Sequence, residues 1–192
     1  MEVFFISLYG VFIYSFLFKK YMQITKKKVV SLTYELYVDK DVEEFEIVEV
    51  VGEDNPMVFL VGHSGLPADF ENKLEGLKEN DAFDFELQPQ EGFGEFSEDE
   101  IAEFPLDMFK VEDGNIPPDF LEIGNFVPFT NEDGSQITGK VYEVNDAVVL
   151  IDFNHPLAGK TLRFEGTVLK IREATAEELA HGHVHGEGGV HH

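Results

Sequence analysis

The chain has no cysteine, so disulfides, thiolate metal sites and cysteine nucleophiles are excluded, and a reducing compartment is permitted without being proved. It has no tryptophan either. Cations are scarce: 14 Lys and Arg stand against 38 Asp and Glu in 192 residues, a net charge of −24 with histidine neutral. A field of that sign repels phosphate backbones, and past the N-terminal lysines no basic patch interrupts it, which argues against nucleic acid as a partner. What the chain holds in quantity is apolar material, 43% hydrophobic residues including 19 phenylalanines. That is more than a solvated, disordered polymer carries, so at least one packed core is expected. The length permits one good-sized core or two small ones.

The longest hydrophobic run, "VFFISLYGVFIYSFLF" at residues 3–18, stops at Lys19. As a signal peptide it lacks a basic start and a small-residue cleavage site. As a membrane anchor it falls short of the roughly 20 residues that span a bilayer, and the lysines behind it would hold the following domain on the cytoplasmic side. Met22 offers a third reading, an in-frame start that makes residues 1–21 a spurious upstream translation. The expectation is a cytoplasmic, monomeric protein that touches a membrane only where residues 1–21 are retained.

From Val29 the pattern is a strict alternation: Val30, Leu32, Tyr34, Leu36 and Val38 share one face, while Ser31, Thr33, Glu35 and Tyr37 share the other. This is the period of a half-buried strand. A second alternating run puts Phe45, Ile47, Glu49 and Val51 on one side, with Glu49 the odd member, and residues 52–56 read as a loop. Pro67 begins a helix-compatible stretch carrying Phe70, Leu74 and Leu77 at helical spacing. Phe83, Phe85 and Leu87 alternate as another strand, and Leu162, Phe164 and Val168 mark a last one. Between these two, residues 97–154 have their own character: "FVPFT", "ITGKVYEV" and "AVVLIDF" separated by the turns "NEDGS" and "ND" read as a strand meander. After "NHPLAGK" the chain returns to a strand that the first sheet needs for closure, so the middle is expected to be an insertion, with a single continuous barrel as the alternative.

Four segments, "VVSLTYEL", "GHSGLPADFENKLEGLKENDAFDFEL", "EGFGEFSEDEIAEFPLDMF" and "NHPLAGKTLRFEGTVLKIREATAEELAHGHVHG", resemble in that order the SlyD branch of the FKBP-type peptidyl-prolyl isomerases. The resemblance runs from about Gln23 to the C-terminus, and residues 1–21 have no counterpart in it. It implies an α+β fold, mainly antiparallel β, in which an FKBP-like half-barrel sheet wraps on a short helix. That domain would comprise residues 22–96 and 155–175, interrupted by a small β-rich insert-in-flap chaperone domain at 97–154 and followed by a histidine-rich tail at 176–192.

The implied chemistry is rotation about an Xaa-Pro amide, which costs roughly 18–20 kcal/mol because resonance is lost at the twisted geometry. Nothing covalent and no cofactor is required. A catalyst needs a dry aromatic pocket that grips the proline ring, strips water from the amide and favours the twisted state. The resemblance implies Tyr34, Phe70, Phe93 and Phe164 as the catalytic pocket and Glu49, Met57, Leu66, Pro67 and Leu157 as substrate-binding residues; the inward parity of Tyr34 in the alternation agrees. An inward aromatic in a barrel is ordinarily plain core, and it is the ordered match that points these side chains to a pocket. Two positions depart from the family pattern. Phe93 in "EGFGEF" stands where the family has a tyrosine, so a hydroxyl that could bond a substrate carbonyl is absent, and Glu49 stands at or next to the usual aspartate, one methylene longer. His63 and His155 are read as turn residues.

In the insert, Phe104, Met108, Phe109, Ile116, Phe120 and Leu121 are many large apolar residues for a short segment, and those left exposed suit promiscuous binding of unfolded chains. In the tail, His181, His183 and His185 alternate, so an extended backbone would put three imidazoles on one side, with His191 and His192 available to complete a site for nickel or another divalent transition metal. The tail glycines predict that the free tail is disordered. The sequence thus points to a peptidyl-prolyl isomerase acting on unfolded or proline-containing polypeptides, with chaperone activity from the insert and metal binding by the tail. The alternatives are a catalytically weak holdase and a nickel or metal-handling protein.

Overall fold

The computed structural model describes residues 7–8, 11–12, 22–41, 44–111, 114–117, 119–131 and 133–185. Two short strands, β1 (Ser7–Leu8) and β2 (Val11–Phe12), pair antiparallel with each other. The main sheet is built from β3 (Lys28–Asp41), β4 (Glu44–Val51), β5 (Met57–Leu60), β6 (Ala82–Leu87) and β11 (Leu162–Glu173) in the order β4-β3-β11-β6, with β5 pairing the start of β3. All of its pairings are antiparallel. The alternation in β3 behaves as its period demands: Val30, Leu32, Tyr34, Leu36 and Val38 are all buried. The helix packed on this face, α1 (Ala68–Leu74), starts behind Pro67, which sets the first φ and has no N–H to lose, and buries Phe70 and Leu74. The helix stops before Leu77, because Gly76 takes φ +85° and turns the chain; Leu77 packs on the core from that turn and not from the helix.

The second alternating run is a strand, but its four residues do not share a face. Leu36 pairs with Glu49 while Tyr37 pairs with Ile47, so Val48 is an extra residue and β4 carries a bulge. Paired residues lie on the same side of a sheet, and a one-residue slip reverses every side chain beyond it. Glu49 and Val51 therefore turn inward with Leu36 and Tyr34, whereas Ile47 faces out beside Tyr37, and Phe45 and Ile47 are exposed.

A second sheet holds β7 (Ile101–Pro105), β8 (Phe126–Thr130), β9 (Gln136–Val144) and β10 (Val148–Asp152) in the order β7-β10-β9-β8. Its two prolines, Pro105 and Pro128, sit on the two edge strands, where a missing N–H costs no ladder bond. Its core is its own: Phe109, Val127, Val141, Val149 and Ile151, backed by Phe104, Phe129 and Phe153. The alternation "IAEFP" of β7 was not read as a strand from sequence. It follows a 3₁₀ turn capped by the Ser97 hydroxyl, which accepts from the Asp99 N–H at 3.2 Å. Where the chain passes between the sheets, the Asn154 amide clasps the Ser97 backbone, accepting from its N–H and donating to its carbonyl, both at 2.9 Å. The last element, α2 (Ala176–His181), follows β11 directly.

Candidate active site

The register of the main sheet brings the aromatic residues of distant segments together. β11 places Phe164 opposite Leu36 of β3 and opposite Phe85 of β6, and places Gly166 between Tyr34 and Phe83. α1 lowers Phe70 onto the same spot, 4.8 Å from Phe164, 5.8 Å from Phe85 and 6.4 Å from Tyr34 between ring centroids. Tyr34 and Phe164 are 5.7 Å apart. The rings are tilted or edge-on, the arrangements that the aromatic quadrupole favours. Phe70 and Phe164 are fully buried and form a dry floor. Tyr34 lies at its margin, and its hydroxyl donates to Glu49 Oε2 at 2.8 Å. Burial, reinforced by the Glu49 carboxylate, pushes the phenol well above its ordinary pKa, so it stays a protonated donor.

Met57, Leu66, Phe93 and Leu157 are half-buried and pack against this same cluster. Glu49 joins it through the Tyr34 hydroxyl, its position opposite Leu36 set by the β4 bulge. Pro67 is half-buried but outside the cluster, and the structure gives it the opening of α1. Phe59, Phe83 and Phe85 belong to the aromatic bed, although the sequence pointed to none of them as a site residue. The parity of "AFDFEL" already put Phe83 and Phe85 on one face; what it lacked was the register that sets them beside Gly166 and Phe164. Gly166 is required there, because a Cβ would come within 2.6 Å of the Phe83 ring and 2.0 Å of the Thr33 carbonyl oxygen.

Phe93 has a partner from the far side of the insert. Its ring stacks on His155 at 3.8 Å with planes 9° apart. His155 Nδ1 accepts the Leu157 N–H at 3.1 Å, which puts the proton of the neutral ring on Nε2. Burial holds the imidazole below its ordinary pKa. His155 does stand at the head of a turn, as read from sequence, and it also walls the aromatic cluster through Phe93.

An aromatic floor, a margin with one protonated hydroxyl, and half-buried apolar walls together make a site for an apolar ring and its amide. Comparison with known proteins gives the family. The family model for FKBP-type peptidyl-prolyl cis-trans isomerases matches residues 20–120. The chain belongs to the FKBP-type peptidyl-prolyl cis-trans isomerases. Among relatives of this isomerase, the FKBP-type peptidyl-prolyl cis-trans isomerase SlyD of Yersinia pestis is 38% identical over 86% of this chain and 80% of its own length. The proteins of that name from Aeromonas hydrophila and Escherichia coli (strain K12) are 38% and 36% identical, covering 89% and 86% of this chain and 75% and 79% of their own lengths. Like its family, this isomerase acts on proline-containing polypeptides, and the reaction needs no cofactor. Among the described residues no helix is long and apolar enough to cross a membrane.

The tail of this isomerase differs from both expectations for it. It is neither extended nor free of the domain as far as His185. Thr175 and Glu178 form a capping box around the first turn of α2, and Gly182 ends the helix at φ +73°. Val184 is buried against Val29 and Leu60. The Glu178 carboxylate is buried, receives Nη1 and Nη2 of Arg172 at 2.8 and 2.7 Å, and also accepts the Thr175 N–H at 2.8 Å and the His185 N–H at 3.1 Å. The Arg172 hydrogen bonds hold its pKa far below the ordinary carboxylate range. This turn, and not a strand, gathers His181, His183 and His185, whose ligand nitrogens lie within 4.8 Å of one another. Three neutral imidazoles at that spacing fit a divalent transition metal. His191 and His192 lie outside the described residues.

Proposed function

We propose that Xaa-Pro rotation takes place over the floor of Phe70 and Phe164, with Tyr34 at its margin and Met57, Leu66, Phe93 and Leu157 as walls. The observation that carries this reading is the convergence of Tyr34, Phe70 and Phe164, drawn from three separate elements, on one ring cluster with centroids 4.8–6.4 Å apart. The proline ring enters this apolar site, the amide loses its water, and the planar resonance form loses the solvation that favours it. The Tyr34 hydroxyl, held protonated, gives its one proton to Glu49 in the free enzyme and turns it to a substrate carbonyl at the margin when the polypeptide binds. Phe93 supplies a wall without a hydroxyl. No covalent bond forms.

The same reading assigns the segment 97–154 to an inserted chaperone domain. Its separate sheet and core support this, and so do Met108, Ile123 and Phe126, which are 62%, 71% and 58% exposed. Such side chains suit transient capture of unfolded chains. The His181, His183 and His185 cluster would hold nickel or another divalent metal, apart from the isomerisation site. A monomer working in the cytoplasm, without nucleic acid, fits the net charge of −24.

The test is proline-limited refolding of a substrate protein by the chain from Met22. It should accelerate the slow phase, and Tyr34→Ala with Phe164→Ala should abolish the acceleration. Because Phe164 is a core residue, Tyr34→Ala alone, checked for native circular dichroism, keeps the test valid. Replacing residues 97–154 by a short loop should leave proline-peptide turnover and remove most of the acceleration on an unfolded protein. No acceleration by the intact chain would refute this assignment of the site.

A further inference from the structure

A cleft of about 470 Å³ lies where the two sheets meet, lined by Phe96, Phe126, Lys140, Asp152, His155 and Lys160 among others. Its charge is out of keeping with the chain. The Lys140 ammonium makes no hydrogen bond or ion pair among the described residues. Lys160 gives its hydrogen bond to a neutral acceptor, the Asp39 carbonyl at 3.1 Å. The carboxylate that lines the cleft, Asp152, uses Oδ1 to take the backbone and side-chain N–H groups of Asn154 at 2.9 and 2.7 Å. Those donors are neutral and leave Asp152 charged, so the lining carries two lysines against one carboxylate, an excess of one positive charge in a chain of net charge −24. Phe96 and Phe126, exposed at 45% and 58%, supply apolar wall beside them.

The cleft adjoins the isomerisation site through one ring. His155 lines the cleft and stacks on Phe93, which packs against the aromatic cluster. A polypeptide whose proline lies over Phe164 thus has neighbouring residues within reach of the cleft. We propose that the cleft is a substrate subsite that takes an acidic side chain of the polypeptide, near the proline, between Lys140 and Lys160, with adjoining apolar groups on Phe96 and Phe126. The subsite rests on the reading that rotation occurs at the Tyr34 and Phe164 cluster. It gives the enzyme a preference that its overall charge opposes: the acidic surface repels acidic peptides at long range, and the cleft accepts one at contact.

The experiment uses proline peptides that differ at one residue, placed in turn at each position within five of the proline and made Glu, Gln or Lys. For the full chain at low salt, kcat/KM with Glu should exceed that with Gln by about three- to tenfold at one or two positions, a range set by two partly exposed ion pairs. The Glu to Gln ratio should fall toward one at high salt and in Lys140→Gln/Lys160→Gln, and should persist in Lys73→Gln/Lys170→Gln, which removes the same net charge elsewhere. Lys140 is exposed and unpaired, so Lys140→Gln alone serves if the double variant folds poorly. Equal turnover of Glu and Gln peptides at every position overturns the subsite, as does a preference that survives the cleft variant or is lost equally in the control. If the Gln peptide gains no rate at all, the assignment of the isomerisation site fails instead. Fluorescence anisotropy of the same peptides then reads the Glu to Gln ratio directly as a ratio of affinities: a ratio that collapses only in the cleft variant supports the subsite, and a ratio of one in the full chain overturns it.

Discussion

Glu178→Gln should release the tail from the domain without melting the domain. The carboxylate receives four donors, two from Arg172 and one each from the Thr175 and His185 amides. An amide has one oxygen, so whichever way it is turned its NH₂ group opposes two of those donors. Hydrogen bonds to a charged acceptor contribute about 1.5–3 kcal/mol each. Arg172 is 36% exposed and regains water when its partner is neutralised, so the discounted loss is about 2–3 kcal/mol for the segment 175–185. That segment touches the domain through the small cluster of Val29, Leu60 and Val184, separate from the main core. The loss is therefore local, and exchange of the His185 amide should quicken about 30- to 160-fold while the melting temperature hardly moves. A loosened turn no longer presents three imidazoles together, so nickel affinity at pH 7.5, measured by calorimetry, should fall about 10- to 100-fold. The pH dependence carries a sign. A carboxyl whose folded pKa is depressed contributes stability above its unfolded value, and that stability is lost as pH falls through the folded pKa. In the metal-free wild type, His185 protection should hold from pH 8 to about pH 5 and then decline on acidification, whereas Glu178→Gln should lack that decline. Unchanged amide protection or unchanged metal affinity in Glu178→Gln would refute the account of how the tail is held.

Three further outcomes follow from the packing. Gly139→Ala puts a Cβ 2.2 Å from Ile151 Cγ2 and 2.8 Å from the Phe153 ring, which should destabilise the second sheet by about 1–3 kcal/mol. Aggregation suppression should fall while turnover of short proline peptides stays within about twofold, and equal losses of both would show that the two cores do not act separately. Tyr34→Phe keeps the ring and removes the bond to Glu49, whose side chain is exposed and can turn to water, so stability should change by less than about 1 kcal/mol. Its kcat/KM on proline peptides should drop about three- to tenfold; a lowered melting temperature with full turnover would make the hydroxyl structural only. The His155 pKa is depressed by burial, so the unfolded chain binds the proton more readily, and the stabilisation present at neutral pH is lost as pH falls through the ordinary histidine range. An imidazole titration by NMR should give a midpoint below that range, and stability relative to His155→Gln should decline between pH 7.5 and pH 5; a midpoint above the range would contradict the packing on Phe93.

Local period and turn chemistry carry the elements whose evidence is local. The buried face of β3 is readable because one sheet face is wet and the other dry, so polarity repeats every second residue. The bulge at Val48 is invisible to the same reasoning, because nothing in "EFEIVEVV" marks where the partner strand skips a residue. It is this skip that turns Glu49 inward to Tyr34. Phe93 and His155 stand 62 positions apart by their numbers, on either side of an inserted sheet, and only the return of the chain makes them neighbours. The tail is the opposite case, since a local signal was present and was outweighed by composition. "TAEE" at residues 175–178 is a capping box, and Gly182 is a helix stop just beyond it. Together they close a short helix, and the buried Glu178 and Val184 then offset the entropy cost that the glycines imposed on the disordered reading.

How the second sheet is attached decides what can be changed without harming catalysis. Its strands run from Ile101 to Asp152, and its buried residues form a cluster distinct from the one beneath Tyr34. At the crossing, the Ser97 and Asn154 pair is joined by two amide hydrogen bonds, and the Gly159 N–H donates to the Gly94 carbonyl at 2.8 Å. Gly159 takes φ +73°, and a Cβ there would stand 3.0 Å from the Phe96 Cβ, so the return loop lies directly against the outgoing chain. Polar bonds of this kind each contribute about 1 kcal/mol, far less than a shared apolar core would. The arrangement fixes direction more than it couples stability. On the proposed function, a peptide captured by the exposed side chains of the second sheet would pass the cleft at the crossing before reaching the aromatic floor, so Asn154→Ala should lower the rate on an unfolded protein more than on a short proline peptide. Equal effects on both substrates would mean that the crossing supports the pocket itself and does not guide the chain between the two sheets.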